Sequence, residues 1–373
     1  MSNYADRVES VSISGIREVF EAAGEDAINL GLGQPDFPTP DHIRTAAIEA
    51  IEDGLVDGYT SNMGIRPLRE AITTTYDDRY GITHDADAVI ATSGASEALH
   101  LAIQAHVDPG QEVLLPDPGF VSYDALTRLA DGTPVPLPLR DDLTLDPATV
   151  KDAISEKTAA FIINSPANPT GAVQSKADMQ AFAEIADEHD IVCLSDEVYE
   201  HIVYDGVHYS PAQFSSTDSV IVISACSKTY SMTGWRLGWV LAAKDRIERM
   251  LRVHQYAQAC ASAPAQYAAT AALTGPTDPI DTMVEAFAER RDIVLDGLRD
   301  ASLTTPTPTG AFYVLPEVPP GWTDAVIDNG VIVVPGEAFG ANGNGRARLS
   351  YATNEEALHD ALETIRTVTK SLK

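Results

Sequence analysis

The sequence predicts an α/β protein, with a larger domain of alternating strand and helix followed by a smaller α+β domain. Two observations carry this reading. From Asp87 to about Ala272, short apolar and β-branched runs alternate with stretches of helical spacing. Beyond Gly275-Pro276-Thr277-Asp278-Pro279, a linker candidate dense in breakers, the alternation stops. A chain of 373 residues that is 44% hydrophobic can bury a substantial core and form two domains.

Residues 1–40 hold no independent domain. An amphipathic stretch at 13–22 leads into 31–40, too rich in glycine and proline for a regular element. Asp41 is a candidate cap for a helix reaching about 52, and a loop at 57–61 precedes a helix over 67–80. Residues 89–92 read as a strand, 93–96 as a tight turn and 97–106 as a helix. The next strand, 112–115, ends at Pro116-Asp117-Pro118-Gly119-Phe120, before a helix over 121–130. Strand 159–164 is broken by Pro166-Ala167-Asn168-Pro169-Thr170-Gly171, and a helix follows over 176–189. Strand 191–194 runs into Ser195-Asp196-Glu197-Val198-Tyr199. Strand 220–223 runs into the stretch from Ser227 to Arg236. Residues 237–243 form a further strand, with helix from 246 and over the alanine-rich 265–272. The last third reads as a helix over 280–299, strands at 311–315, 331–334 and 346–351, and a final helix.

The formal net charge is -30, from 55 acidic and 25 basic residues. Such a field repels nucleic acid and anionic membranes, which excludes both as partners. The acids are dispersed and only seven residues are lysine, a pattern that suits a halophilic protein whose self-repulsion is screened by salt. Cys193, Cys226 and Cys260 have neither zinc spacing nor a disulfide framework, and the first and second read as core residues. No metal site is expected. Nothing resembles a signal peptide and no apolar run could span a bilayer, so the expected location is cytoplasmic.

The loops after the strands carry chemistry, and ligands of open α/β sheets bind at strand carboxyl ends. Lys228 follows a buried strand. An amine in a closed pocket loses charge to desolvation and becomes nucleophilic. Arg236 offers a permanent planar cation that suits phosphate. The turn at Ala95 and Ser96 exposes backbone N–H groups at a helix start, an anion cradle. Phe120 can stack on a flat ligand, and Asn168 sits in a sharp turn. Asp196, at the end of a buried strand, is costly without a partner. Each has a plain reading on its own: a snorkelling lysine, an ordinary turn, a core ring, a surface aspartate. Together they suit pyridoxal 5'-phosphate, which needs a lysine to attach to, a carboxylate at its pyridine nitrogen and donors for its phenolic oxygen and phosphate.

With these residues in this order, the chain resembles the class I/II aminotransferases of fold type I, in the aspartate aminotransferase superfamily. The likeness runs from about residue 28 to the last helix. Its motifs are Ser227-Lys228-Thr229 with Met232-Thr233-Gly234-Trp235-Arg236, Gly33-Gln34-Pro35-Asp36-Phe37, Asn168-Pro169-Thr170-Gly171, Asp196-Glu197-Val198-Tyr199 and Arg348-Leu349-Ser350-Tyr351. The resemblance implies a large doubly wound domain with a mostly parallel sheet (41–275) and a small domain made of 1–40 and 276–373. It implies that Lys228 is the Schiff-base lysine and proton shuttle. Asp196 would partner the pyridine nitrogen, Asn168 and Tyr199 would donate to the phenolic oxygen, and Phe120 would cover the ring. Ala95, Ser96, Ser227 and Arg236 would hold the phosphate, with Tyr59 reaching the phosphate of the other subunit of a homodimer. Gly33, Asn168 and Arg348 would grip the substrate α-carboxylate.

One departure stands out. Many members of the family have a phosphate-binding serine three residues before the lysine, where this chain has Ala225, with Ser224 one step earlier. The implied activity is ping-pong transfer of an amino group between an amino acid and a 2-oxo acid. A pyridoxal-phosphate-dependent carbon–sulfur β-lyase is the alternative on the same motifs. A non-enzymatic cofactor-sensing regulator is disfavoured, because the chain has no room for a DNA-binding domain and its charge opposes DNA.

Overall fold

A computed structural model of the chain describes residues 4–13, 15 and 27–372. The amphipathic stretch expected at 13–22 lies outside them except for residues 13 and 15. The central element is a seven-stranded sheet. Its strands are β2 (Val89–Thr92), β3 (Glu112–Asp117), β4 (Thr133–Pro138), β5 (Thr158–Asn164), β6 (Val192–Asp196), β7 (Val220–Ala225) and β8 (Gly238–Leu241), after β1 (Ile28–Asn29). The order across the sheet is β2-β8-β7-β6-β5-β3-β4. All neighbours are parallel except β8, which runs antiparallel to both β2 and β7.

Strand residues alternate between two apolar layers, which makes the sheet doubly wound. Phe161 and Ile163 pack with Phe182 and Trp239 on one face. Ala160 and Ile162 pack with Leu99 and Ile103 on the other. The same alternation separates Val220 and Val222 from Ile221 and Ile223.

The strand β4 was not expected. Its prolines at 134, 136 and 138 recur every second residue on an edge strand. At that spacing the missing N–H groups can all face away from β3, the one strand it pairs with. Helix Asp41–Glu52 matches the expected span, but Asp41 does not cap it: Pro40 holds the cap position and Asp41 pairs with Arg44 in the first turn. The linker candidate is shortened, because helix Asp278–Asp300 starts inside it, with a proline in its first turn.

A third apolar cluster joins Leu30 to Phe287, Trp322, Val333, Leu349 and Leu358. It is built on helices Asp278–Asp300 and Glu355–Ser371, on β9 (Tyr313–Val314) and β12 (Ala347–Ser350), and on Val331 of β10 (Val331–Ile332), which pairs in parallel with β1, while β11 (Val334–Pro335) extends the sheet beside β12. The expected strand at 311–315 is thus only two residues long. Tyr199 and Ala225, at the carboxyl ends of the large sheet, belong to this third cluster. The two cores therefore meet at the ends of β6 and β7.

Candidate active site

A cavity of about 240 Å³ opens where those cores meet. Its wall includes Gly33, Ala95, Ser96, Phe120, Asn168, Asp196, Tyr199, Ser227, Lys228, Arg236 and Arg348. Every expected site residue except Tyr59 is therefore brought together. Tyr59 is 93% exposed and lies away from the cavity.

Lys228 sits on a single helical turn, Cys226–Thr229, that continues from β7. Its Nζ donates to the carbonyl of Gly33 at 2.6 Å. The Gly33 loop is held by Asn29, whose side chain accepts from the N–H groups of Gly31 and Leu32. Burial, reinforced by the nearby Arg348 and Arg236 guanidiniums and opposed by Asp196, brings the lysine down to about 8. That is the condition for a nucleophilic amine near neutral pH.

Asp196 ends β6 and is 4% exposed. Its Oδ2 accepts from the Tyr123 hydroxyl at 2.7 Å. Burial pushes it up to about 6, against the Tyr123 bond, which pulls it down. Neighbouring β5 ends level with it at Asn164. The Asn164 side chain donates to the Asp196 carbonyl at 2.9 Å and accepts from the backbone N–H of Asn168 at 2.7 Å. One amide thus fixes two of the expected site residues.

Arg348, on β12, is 2% exposed. It donates to Asn168 Oδ1 at 2.9 Å and to the carbonyl of Gly31. Its guanidinium lies 4.6 Å from the ring centre of Tyr313 and 4.8 Å from that of Phe339. No carboxylate among the described residues pairs with it, and its Nε has no partner. A buried cation without an anion is costly, so the site is built to receive one.

At the opposite wall, helix Ala95–His106 starts after Gly94, which has φ of +81°. A Cβ at Gly94 would lie 2.4 Å from Arg236 Nη2, so only glycine lets the arginine lie across the helix start. Arg236 is itself held by the carbonyls of Thr233 and Ser93. Cation and free helical N–H groups together form an anion site. Glu97 braces this turn from below: it accepts from the Ser93 N–H and from His254 Nδ1.

The pleat settles the Ser224 question. Ala225 faces the cavity. The Ser224 side chain points to the other face, where its hydroxyl donates to Glu200 at 3.0 Å. Ser224 therefore does not stand in for the missing serine. Glu200 also accepts from Tyr76 and Tyr80, and Glu197 accepts from Ser195 and Ser210, in a buried network under the strand ends.

Sequence reasoning missed Tyr123, Asn164 and Tyr313, all on the cavity wall. Asn164 carried a signal, as a polar residue ending a buried strand beside the one that ends in Asp196. The two tyrosines carried none, since only the fold brings them to the site.

This architecture and cavity define a class of enzyme, and the comparisons agree. The chain belongs to the aminotransferases of class I and II, the family that matches residues 25–365. It is 44% identical over 376 residues to a probable aspartate aminotransferase of Methanocaldococcus jannaschii, covering 98% of this chain and 99% of the other. It is 40% identical over 385 residues to an aspartate aminotransferase of Pyrococcus abyssi, at 99% of each chain. The structure of Thermus thermophilus aspartate aminotransferase with maleate superposes with a TM-score of 0.94 at 35% identity, covering 99% of this chain and 100% of that one. An aromatic aminotransferase from Pyrococcus horikoshii superposes with a TM-score of 0.92 at 39% identity, over 98% of each. The protein is an aminotransferase that depends on pyridoxal phosphate. The cavity fits that group: an accessible lysine, a buried carboxylate, an anion site at a helix start and an unpaired buried arginine all face one space.

Proposed function

We propose that amino-group transfer takes place in this cavity, with Lys228 holding the cofactor and aspartate serving as an amino donor. The observation that carries it is the buried, anion-free Arg348 on the same wall as Lys228 and Asp196. A planar carboxylate matches its fork, so Arg348, with Asn168 beside it and the Gly33 backbone, holds the substrate α-carboxylate. The α-carbon of a substrate held there would face the cavity that Lys228 also lines. Bound at Lys228, pyridoxal phosphate supplies an electron sink for the α-carbon's electron pair. Lys228 Nζ, freed when the substrate amine takes its place on the cofactor, would take the α-carbon's proton and return it. The Asp196 carboxylate holds a proton on the pyridine nitrogen, and Asn168 and Tyr199 donate to the phenolic oxygen. Phe120 covers the ring. Ala95, Ser96, Ser227 and Arg236 hold the phosphate.

The two largely distinct apolar cores, with only a few residues such as Tyr199, Ala225 and Ile280 crossing the boundary, support a division into domains at 41–275 and at 1–40 with 276–373. The reading includes a homodimer in which Tyr59 serves the partner's phosphate. Ile48, Ile51 and Leu55 make an exposed apolar strip in and just after helix Asp41–Glu52, and Tyr59 and Tyr256 are almost wholly exposed. Such apolar area favours burial against a second copy. No helix among the described residues is long and apolar enough to cross a membrane, and a cytoplasmic, salt-adapted enzyme accords with the charge.

The choice of aspartate rests on the names of the relatives, among which aromatic donors are the second reading. A panel of amino acids with 2-oxoglutarate tests it, with aspartate expected to give oxaloacetate fastest. Release of pyruvate and ammonia from cystathionine faster than any transfer would sink the proposal in favour of a lyase.

A further inference from the structure

Tyr313 occupies a position that the site as described leaves without a task. It lies on β9, opposite Ser350 of the Arg348 strand, and is 1% exposed. Its hydroxyl is 2.8 Å from the hydroxyl of Tyr199. Its ring lies against the Arg348 guanidinium. Space for the hydroxyl exists only because residue 33 is glycine, as a Cβ there would lie 2.2 Å from it. Three walls of the cavity, the Gly33 loop, Tyr199 and Arg348, thus meet at one phenol.

A hydroxyl has one proton, so in a pair of phenols one donates and the other is left with its own proton free. We propose that Tyr313 is a positioning residue: it donates to the Tyr199 hydroxyl and so turns the proton of Tyr199 into the cavity, toward the phenolic oxygen of the bound cofactor. The direction follows from acidity. Burial raises both phenols and Arg348 opposes it in both, but the guanidinium lies 4.6 Å from the ring centre of Tyr313, where its pull comes second only to burial, and Tyr199 stays the more strongly raised. The more acidic phenol is the better donor. Without Tyr313, the Tyr199 hydroxyl loses the neighbour that sets its orientation. The inference rests on the assignment of Tyr199 as the donor to the cofactor.

The test uses the cofactor-loaded enzyme and its visible absorption, which changes as the proton on the Lys228–cofactor linkage is lost. The deprotonated form leaves full negative charge on the phenolic oxygen, so losing an oriented donor must raise the pH midpoint. Tyr199→Phe should raise it most. Tyr313→Phe keeps the ring and its packing on Arg348, and should raise the midpoint by roughly 0.5–1 pH unit, the scale of one neutral hydrogen bond. The double variant should match Tyr199→Phe alone, because Tyr313 acts through Tyr199. A midpoint unmoved by Tyr313→Phe, or shifts that add in the double variant, overturns the role of Tyr313. A midpoint unmoved by Tyr199→Phe overturns the assignment of Tyr199 itself, and the inference with it.

Discussion

Replacing Asp196 by Asn separates what this carboxylate costs the fold from what it does for the reaction. In the cofactor-free chain Asp196 lies at about 6 against an ordinary 3.8, raised by burial. The folded chain therefore holds the extra proton between those values, and the contribution of this group to stability falls as pH rises through that window. Above it, the difference of about 2 units costs about 3 kcal/mol. Asparagine carries no charge and escapes this. It gives up part of the acceptor set, because the carboxylate takes hydrogen bonds from the Tyr123 hydroxyl and more weakly from the Val198 N–H. Each such bond contributes about 1 kcal/mol. The cofactor-free Asp196→Asn chain should thus be more stable than its parent at pH 8, by roughly 1–2 kcal/mol. The advantage should shrink at pH 5, where much of the parent's Asp196 is protonated. With cofactor bound the sign reverses, since the variant breaks a buried charge pair worth about 3–5 kcal/mol. Amino transfer should slow by roughly 10²–10³-fold. Urea unfolding of both cofactor-free chains at the two pH values, and single-turnover absorbance of the loaded enzymes, measure the two effects. A variant less stable than its parent at both pH values would refute the buried-charge argument. Near-parental transfer would refute the catalytic one.

Three further outcomes can be checked. Cofactor attachment to the cofactor-free chain should speed up with pH with a midpoint near 8, the value burial gives Lys228, and borohydride should trap the adduct on Lys228; a midpoint above 10 or an adduct on another lysine rejects the assignment. Mixing inactive Lys228→Ala chains with impaired Tyr59→Phe chains should recover activity through hybrid dimers, and sedimentation as an active monomer would end the claim that Tyr59 works across subunits. Melting temperature and dimerisation should rise with potassium chloride, because screening shortens from about 10 Å at 0.1 M to about 3 Å at 1 M and relieves a net charge of -30; flat curves would leave the acidity without this explanation.

Much of the molecule could be read before folding, for a local reason. Helical and strand periods are properties of neighbouring residues, so helix Lys176–His189 and strand β2 fall where spacing places them. Breakers are local too: Gly94, Pro118 and Pro166 mark the ends of β2, β3 and β5, while the apolar runs of β6 and β7 give way to polar residues. That is why Asp196, Lys228 and Asn168 could be singled out: a costly charge, a rare lysine and a proline-flanked asparagine each follow an apolar run.

What the sequence alone did not decide depends on residues far apart in the chain. Strand β4 was not expected, since proline argues against strands, and only its place at the sheet edge makes three of them tolerable. Strand β8 runs antiparallel to β7, to which it is joined without a long crossover helix, and its pairing with the distant β2 is something no local pattern records. By position Ser224 was a candidate to replace the serine missing at Ala225, and only the pleat turned Ser224 to Glu200 and Ala225 to the cavity. Tyr123 and Tyr313 reach the site across 73 and 114 residues, to Asp196 and Tyr199. Short-range periodicity determines which elements form and which of their ends carry chemistry. Hydrogen bonds between side chains distant in sequence need the packed cores to bring them within 3 Å, so the proton arrangement of the site belongs to the tertiary structure.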